Sequence, residues 1–425
     1  MLQQPIKPAD LMHITHLSLE NFRNYARLEL DIPSGSILLY GDNAQGKTNL
    51  LEAIYYLATT RSPHADQDVQ LIHWDAAEAE EPIVVGRVIA HFQTADGPRQ
   101  VEMRLIRELR SGRNGFRREA LVDRRKVRLI DLLGNLRVVL FLPEDIQIIT
   151  GSPSGRRRYL DVTLCQTDRV YCRTLSAYNK VLEQRNALLR QIAEFGTGSD
   201  LLPVYTDKLV NLGSQIFVRR AEFVAALGRE AQRIHYEQLT DGRETLRISY
   251  LPRLQEASVT RGDEEAVRTA VQQGEWLAEQ SDLERVGARF RQVLTDVAES
   301  ELSSGSTRIG PHRDDWRFWV SGRQVSRYGS RGQQRSSLLA LKLAEIHWMA
   351  DQTGEMPLLL LDEVVAELDE GRRDLLLTTV RQMNQAILTA TDPAMFSATF
   401  LKAATTMMVV AGQIRRDDIQ TDDTG

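Results

Sequence analysis

The stretch Gly41-Asp42-Asn43-Ala44-Gln45-Gly46-Lys47-Thr48 fits the pattern G-x-x-x-x-G-K-[ST] of a phosphate-binding loop. Its flanks also fit, because a short apolar run (37–40) precedes it and a helical pattern (49–59) follows it. In such a loop, consecutive backbone N–H groups and the positive end of the helix surround the phosphates of a nucleotide. We therefore predict that residues 41–48 bind ATP, that Lys47 reaches the β- and γ-phosphates as a catalytic group, and that Thr48 ligates Mg²⁺.

A second apolar run, 356–361, ends in two adjacent carboxylates, Asp362 and Glu363. We predict a buried strand in which Asp362 holds Mg²⁺ and Glu363 polarises the attacking water as a catalytic group, since neighbouring side chains on a strand point to opposite sides. A buried strand with a solvated acidic end is the alternative. Most of the chain lies between Lys47 and Asp362, which indicates a head built from both ends of the chain around a large insertion.

The segment Tyr328-Gly329-Ser330-Arg331-Gly332-Gln333-Gln334-Arg335 precedes a long helical pattern. Ser330 and Gln333 have the S-x-x-Q form of a capping box, so a well-capped helix is the simple interpretation. The segment also lies shortly before Asp362, which is where ABC-type heads carry their signature. The second interpretation is therefore that Ser330, Gly332 and Gln333 face the γ-phosphate of ATP held by a second copy of the chain.

These features predict an α/β fold, namely an ABC-type P-loop ATPase head with an inserted helical arm that forms a short antiparallel coiled coil. Two apolar stripes support the arm, one over 175–192 and one over 209–227, with a turn between them. The predicted divisions are an N-terminal extension (1–11), the N-terminal part of the head with an antiparallel β lobe (12–155), the arm (156–300), the C-terminal part of the head with signature and acidic strand (301–403) and a flexible tail (404–425).

Composition narrows the range of partners. The net charge of −5 over 425 residues gives the whole chain no bias towards nucleic acid. Residues 104–128, however, carry a local excess of Lys and Arg, which is either a solvated hairpin face or a DNA-contacting patch that includes Arg117, Arg118, Arg124, Arg125 and Lys126. The two cysteines suit a reducing cytoplasm, and no apolar run approaches the ~20 residues that span a bilayer, so we expect a cytoplasmic protein with no membrane partner.

The sequence resembles the RecF family of bacterial recombination mediators, relatives of the chromosome-organising ATPases, over residues 12–402. The phosphate loop is shared by many ATPases, whereas the segments 310–315 and 332–335 in this order are much more specific. Outside the loop, the matching segments include Leu19-Glu20-Asn21-Phe22-Arg23-Asn24-Tyr25, Phe141-Leu142-Pro143-Glu144-Asp145, Arg156-Arg157-Arg158-Tyr159-Leu160-Asp161, Gly310-Pro311-His312-Arg313-Asp314-Asp315, Gly332-Gln333-Gln334-Arg335 and Leu361-Asp362-Glu363 with Glu367-Leu368-Asp369.

The resemblance implies a DNA-repair and replication protein that binds double-stranded and gapped or single-stranded DNA. It implies an ATP-dependent homodimer, slow DNA-stimulated ATP hydrolysis, and action with RecO and RecR to place RecA on gapped DNA in the SOS response. It also implies that Arg23 and Asn24 border the nucleotide and that a switch residue lies near Thr389 or Thr391.

Two alternatives come from other classes. A related SMC/ABC-type ATPase with another DNA-linked role, such as phage defence, commonly carries a nuclease domain, yet no acidic nuclease cluster follows Asp369. The nucleotide-binding subunit of a transporter would lack the large helical insertion and would carry a signature closer to Leu-Ser-Gly-Gly-Gln.

Overall fold

A computed structural model of the chain describes residues 12–78, 81–110, 113–255 and 264–417. The predicted N-terminal extension, 1–11, and the end of the predicted tail lie outside these residues. The strands are β1 (His13–Phe22), β2 (Tyr25–Asp31), β3 (Gly35–Tyr40), β4 (Ile83–Thr94), β5 (Gly97–Arg110), β6 (Arg113–Val122), β7 (Arg125–Val127), β8 (Val138–Phe141), β9 (Leu246–Leu251), β10 (Asp315–Val320), β11 (Arg323–Gln324), β12 (Leu358–Asp362), β13 (Gln385–Ala390), β14 (Thr405–Val410) and β15 (Gln413–Arg416).

The structure also has fourteen α-helices within the described residues. They are α1 (Lys47–Thr59), α2 (Trp74–Glu78), α3 (Leu129–Leu132), α4 (Ile146–Thr150), α5 (Pro153–Thr167), α6 (Arg169–Phe195), α7 (Leu202–Ile234), α8 (Glu264–Ala278), α9 (Leu283–Asp296), α10 (Ala298–Ser304), α11 (Val325–Tyr328), α12 (Arg331–Thr353), α13 (Glu370–Gln382) and α14 (Ala398–Ala403). The chain divides into two compact units, residues 1–144 with 346–425 and residues 145–345.

The first unit contains two six-stranded sheets. One has the order β2-β1-β4-β5-β6-β7 and its strands pair antiparallel. The other has the order β15-β14-β3-β13-β12-β8, and its pairs are parallel except for β14 with β15. In this sheet β3 lies between β14 and β13, and β8 pairs with β12, so strands from both ends of the chain form one sheet, which confirms the head assembled from both ends.

The prediction of a flexible tail from residue 404 needs correction. Residues 405–410 form β14, which pairs parallel with β3, and residues 413–416 form the antiparallel edge strand β15. Met407 and Val409 are buried against the sheet. Because this apolar run adds a fully paired strand beside β3, it belongs to the head up to residue 416.

The second unit contains the helical insertion. Helices α6 and α7 form an antiparallel pair, and Gly196, with φ of 66°, ends the first of them. Arg185 interrupts the apolar stripe of α6, yet its side chain is buried and bonded to Glu301 at 2.7 Å and to Thr307 at 2.7 Å. The helix pair therefore packs against further residues of this unit, because the partners of the buried Arg185 side chain, Glu301 and Thr307, follow α9 in the sequence.

The bounds of the second unit differ from those predicted for the arm. Strand β9 pairs with β10 from Leu246 opposite Val320 to Leu251 opposite Asp315. This pairing brings residues 301–345 into the same unit as the helices. The signature segment therefore belongs to the second unit, whereas the acidic strand β12 belongs to the first.

Buried charges hold the second unit together. The Arg220 side chain is 2% exposed and donates to Asp161 at 2.7 Å, to Asp314 at 3.1 Å and to the Pro311 carbonyl at 2.6 Å. Burial raises the pKa of Asp314 to about 7, although Arg220 opposes the shift. Two of the segments that carry the family resemblance, those with Asp161 and Asp314, thus bind the same Arg220 side chain and stabilise the second unit.

Replacing Arg220 by methionine is expected to destabilise the second unit by about 3–5 kcal/mol, because it leaves buried carboxyl groups without their cation. Urea unfolding followed by circular dichroism measures the change. The neighbouring Arg219 is the matched control: its side chain is 43% exposed and pairs with Asp168 and Glu222. Arg219→Met should cost about 0–1 kcal/mol, and equal effects of the two substitutions would contradict the assignment of Arg220 as the structural centre.

Candidate nucleotide-binding site

The phosphate loop lies between β3 and α1, and neighbouring atoms, backbone at Gly41 and side chains at Gly46, leave no space for a Cβ at its two glycines. Gly41 has φ of 147°, and a Cβ there would come within 2.4 Å of the Val409 carbonyl oxygen. Gly46 has φ of 114°, and a Cβ there would come within 2.5 Å of the Asn24 amide. Both conformations favour glycine, so the two glycines of the motif are required by this packing.

Lys47 is the first residue of α1 and its ammonium group is buried within the loop. It donates to the carbonyls of Gly41 at 2.7 Å and Asp42 at 2.9 Å, and it lies 3.3 Å from a carboxylate oxygen of Glu363. The side chain is only 3% exposed. The sequence-predicted pair of catalytic groups, Lys47 and Glu363, is therefore brought into contact across the parallel sheet.

Thr48 and Asp362 also meet, as the prediction of a shared metal site requires. The Thr48 hydroxyl donates to Asp362 Oδ1 at 3.1 Å, and the Thr389 hydroxyl donates to the same oxygen at 2.6 Å. Thr389 in turn accepts a hydrogen bond from the Glu363 N–H at 3.0 Å. Because β3, β13 and β12 are parallel neighbours, their carboxyl ends place the loop, Thr389 and Asp362 at one edge of the sheet.

The electrostatics at Asp362 favour a bound cation. Burial raises the pKa of this carboxyl group, and the hydrogen bonds from Thr389 and Thr48 oppose that shift. When folding raises the pKa of an acid, ionising that acid costs more in the folded protein than in the unfolded chain. The free energy of unfolding therefore falls as the pH rises through the pKa of the acid. A cation beside the carboxylate would offset this cost.

The residues present fit Mg²⁺ held jointly by protein and nucleotide. Within the ranges that the structure describes, no cluster of three or more His, Cys, Asp or Glu side chains could hold a metal ion. Mg²⁺ in nucleotide sites typically takes only one or two protein oxygens, together with phosphates and water. Thr48 and Asp362 supply two such oxygens.

Arg23 and Asn24 lie next to the loop and brace it. The Arg23 guanidinium donates two hydrogen bonds of 2.7 Å to Glu52, a buried residue of α1. The Asn24 amide donates to the Gln45 carbonyl at 3.1 Å and accepts from Asn49 at 2.8 Å. Asn24 therefore joins the loop to α1 directly, whereas Arg23 is bonded to α1 at Glu52, and that both residues border the nucleotide stays a prediction.

Other supports of the loop were missed by the sequence analysis. The Tyr25 hydroxyl donates to the Gly46 carbonyl at 2.9 Å, and the Gln45 side chain accepts from the Ala411 N–H at 2.6 Å. The Gly412 N–H also donates to the Gln45 carbonyl at 3.1 Å. The apolar run 407–411 was the available signal, because a run of that kind beside a phosphate-loop strand predicts one more strand of the sheet.

The signature segment begins α12 with the predicted capping box. The Gln333 N–H donates to Ser330 Oγ at 3.2 Å, and the Ser330 N–H donates to Gln333 Oε1 at 2.9 Å. Gln333 Nε2 donates further to Glu244 at 2.8 Å. Gly332 is half-buried between these two residues in the first turn. All three predicted signature residues therefore lie at one helix start.

Three of the five residues in the predicted DNA-contacting patch are engaged in ion pairs within the protein. Arg117 pairs with Glu108 at 3.0 Å and also with Glu119, Arg118 pairs with Asp68 at 2.7 Å, and Lys126 pairs with Glu119 at 2.8 Å. Arg124 is exposed in the turn between β6 and β7, and Arg125 is exposed at the start of β7. The ion pairs of Arg117, Arg118 and Lys126 thus fit the alternative of a solvated hairpin face. The exposed side chains of Arg124 and Arg125 remain accessible to DNA.

Comparison with known proteins places the chain in a family. Residues 13–415 match the family model described as RecF/RecN/SMC N terminal domain. The DNA replication and repair protein RecF of Chloroflexus aggregans is 42% identical over 95% of this chain and 99% of that protein. The chain belongs to the RecF family.

Solved structures support the RecF assignment. The recombination mediator protein RecF in complex with ATP, from the RecFOR pathway, has a TM-score of 0.80 and 29% identity over 96% of this chain and 98% of that chain. The corresponding RecF-ATPrS structure has a TM-score of 0.80 and 30% identity over 96% and 99%. This likeness confirms the fold predicted for a RecF head and favours it over the phage-defence and transporter alternatives.

Proposed function

We propose that this RecF family member is an ATP-binding and ATP-hydrolysing protein of DNA replication and recombinational repair. One observation carries the proposal: Lys47, Thr48, Asp362, Glu363 and Thr389 converge at the carboxyl ends of three parallel strands. The solved RecF structures with ATP and ATPrS support the nucleotide as the ligand.

The contacts assign a task to each side chain. Lys47 would turn from the loop carbonyls to the β- and γ-phosphates, and Thr48 with Asp362 would hold Mg²⁺. Mg²⁺, when bound, neutralises charge that develops on the phosphate oxygens. Glu363 would accept a hydrogen bond from the attacking water, because its side chain is 37% exposed while Asp362 beside it is buried.

The Lys47–Glu363 contact supports slow turnover. With Lys47 Nζ 3.3 Å from its carboxylate oxygen, Glu363 is engaged by an ammonium group instead of by an attacking water. Nucleotide phosphates would compete for Lys47 and release Glu363 for catalysis. ATP hydrolysis would therefore be slow until the binding of ATP, and then the binding of DNA, completes the arrangement of the catalytic groups.

The signature supports a homodimer that closes around ATP. The start of α12 offers backbone N–H groups and the positive helix end, which suit a γ-phosphate on a partner copy. Ser330, Gly332 and Gln333 would form that surface, and Gln333 would exchange its bond to Glu244 for one to the nucleotide. ATP would then join two copies and hydrolysis would separate them.

DNA, in double-stranded and gapped or single-stranded form, is the proposed macromolecular ligand, with RecO and RecR as partners and RecA loading as the outcome. The naming of the relatives as DNA replication and repair proteins and of the neighbours as members of the RecFOR pathway supports this. Arg124 and Arg125 are the exposed candidates for DNA contact. We place the protein in the cytoplasm; among the described helices, none is both long and apolar enough to cross a membrane.

The deciding experiment measures assembly and DNA binding in parallel with ATP, with ADP and without nucleotide. Light scattering should show a dimer with ATP and a monomer in the other two conditions, since only a γ-phosphate joins the two copies. Fluorescence anisotropy on gapped DNA should show tighter binding with ATP. Identical mass and identical DNA affinity in all three conditions would refute the proposal that ATP controls dimerisation and DNA binding, which we call the nucleotide gate.

A further inference from the structure

A wide groove lies in the second unit, and it shares Tyr328 with the signature segment but includes none of Ser330, Gly332 and Gln333. Its volume is about 1090 Å³, above the ~300–1,000 Å³ that small-molecule pockets occupy. One wall is the sheet of β9, β10 and β11, and another is α8. The size fits a segment of a polymer better than a compact metabolite.

Alternation along β10 gives this sheet two different faces. Trp316, Phe318 and Val320 are buried in the core, whereas Arg317 and Trp319 line the groove. On β9, Arg247 lies opposite Trp319 and Ser249 lies opposite Arg317, and both also line the groove. The face therefore alternates an aromatic ring with guanidinium groups.

The groove is basic even after its internal ion pairs are subtracted. Arg156 and Arg317 are bonded to Asp315, and Arg247 is bonded to Glu275. The arginines that remain on the lining are Arg268, Arg323 and Arg327, which are exposed, against the exposed Glu264. Positive charge therefore prevails along the groove, which suits a polyanion.

A second aromatic ring lines the same groove. Tyr328 is 63% exposed, and the Arg327 guanidinium lies 5.5 Å from the centre of its ring. An exposed aromatic ring beside a guanidinium is a platform on which an unpaired base can stack. Bases within a duplex have no free faces to offer to such a ring.

We propose that this groove binds single-stranded DNA, with bases stacked on Trp319 and Tyr328 and phosphates bound by Arg268 and Arg323. The inference extends the DNA-binding role proposed above by assigning a site that the local charge excess around 104–128 did not indicate. An acidic peptide would use the arginines but would leave both rings without a stacking partner. The two aromatic rings therefore favour the nucleic acid strand.

The test is the affinity of the full-length chain, without nucleotide, for a labelled oligothymidine of about 15 residues, a length near the upper end of single-strand site sizes. Trp319→Ala with Tyr328→Ala should weaken binding at least about 5-fold for each ring removed. The control is Trp74→Ala, which removes a tryptophan that is 75% exposed in the first unit. That variant should bind as the unchanged chain does.

The phosphate contacts have a separate readout. Arg268→Gln with Arg323→Gln should lower the slope of log affinity against log salt by about 1.4, since each phosphate contact on a single strand contributes ~0.7. Arg243→Gln, an exposed arginine outside the groove, should leave the slope unchanged. Far-ultraviolet circular dichroism and binding of a fluorescent ATP analogue verify that each variant is folded.

The outcomes separate this inference from the nucleotide gate. Unchanged oligothymidine affinity in the folded aromatic variant would refute the groove, as would polyglutamate displacing the oligonucleotide at equal charge concentration. Equal loss of duplex and single-strand affinity in that variant would also refute it. A chain that loses ATP-dependent dimerisation yet keeps the aromatic-dependent strand binding would refute the gate and support the groove.

Discussion

Lys47→Arg is expected to lower ATP turnover at least about 100-fold while part of the ATP affinity remains. The Lys47 ammonium is enclosed by two loop carbonyls and the Glu363 carboxylate within 3.3 Å, and its side chain is almost fully buried. A planar guanidinium keeps the charge but cannot take the place of this compact group. Phosphate release measures turnover, and titration with a fluorescent ATP analogue measures binding.

The control for that experiment is Lys180→Arg, an exposed lysine on α6. It makes the same chemical change away from the phosphate loop and should leave turnover within error of the unchanged chain. Normal turnover by Lys47→Arg would remove the loop from the mechanism. Complete loss of ATP binding would instead show that Lys47 acts in binding rather than mainly in the reaction.

Ser330→Arg is expected to weaken the ATP-dependent dimer at least about 100-fold, with turnover falling in parallel, because a bulky cation would occupy the surface proposed to meet the partner's γ-phosphate. Ser330 is exposed, and its hydroxyl accepts a hydrogen bond from the Gln333 N–H at the start of its own helix. Binding of ATP to the monomer should therefore persist. Sedimentation across protein concentrations measures the dimer.

Two variants control for the loss of the helix cap and for the added charge. Ser330→Thr keeps a capping hydroxyl and should dimerise, whereas Ser303→Arg adds the same cation at an exposed serine of α10 and should leave the dimer intact. If Ser330→Arg still dimerised on ATP as tightly as the unchanged chain, the signature would not face a partner. The capping box would then be its whole role.

The chemistry of the site could be predicted from the sequence because each part is local. Eight consecutive residues specify the loop, a four-residue apolar run followed by two acids specifies β12, and Ser330 with Gln333 specifies a helix start. That Thr48 meets Asp362 followed from one further rule, that the carboxyl ends of parallel strands share an edge. The structure joins Thr48 to Asp362 and, separately, Ser330 to Gln333, as expected.

What could not be predicted depends on pairing between distant segments. Arg118 counts as a free cation in the sequence, yet Asp68 from another segment neutralises it. Strand β14 has few residues and finds its place only beside β3, from the opposite end of the chain. The division between the units likewise depends on the pairing of β9 with β10. Composition and periodicity do not encode such partners.

The contact between the end of the chain and the phosphate loop has a consequence for biosynthesis. Gln45 is held by Ala411 and Gly412, and Gly41 packs against Val409. During translation the loop emerges early, but Ala411, which holds Gln45, follows it only 366 residues later. A nascent or prematurely terminated chain that lacks residues 409–412 would therefore present the complete nucleotide motif without its bracing, and competence to bind ATP would arise only after these residues have been made.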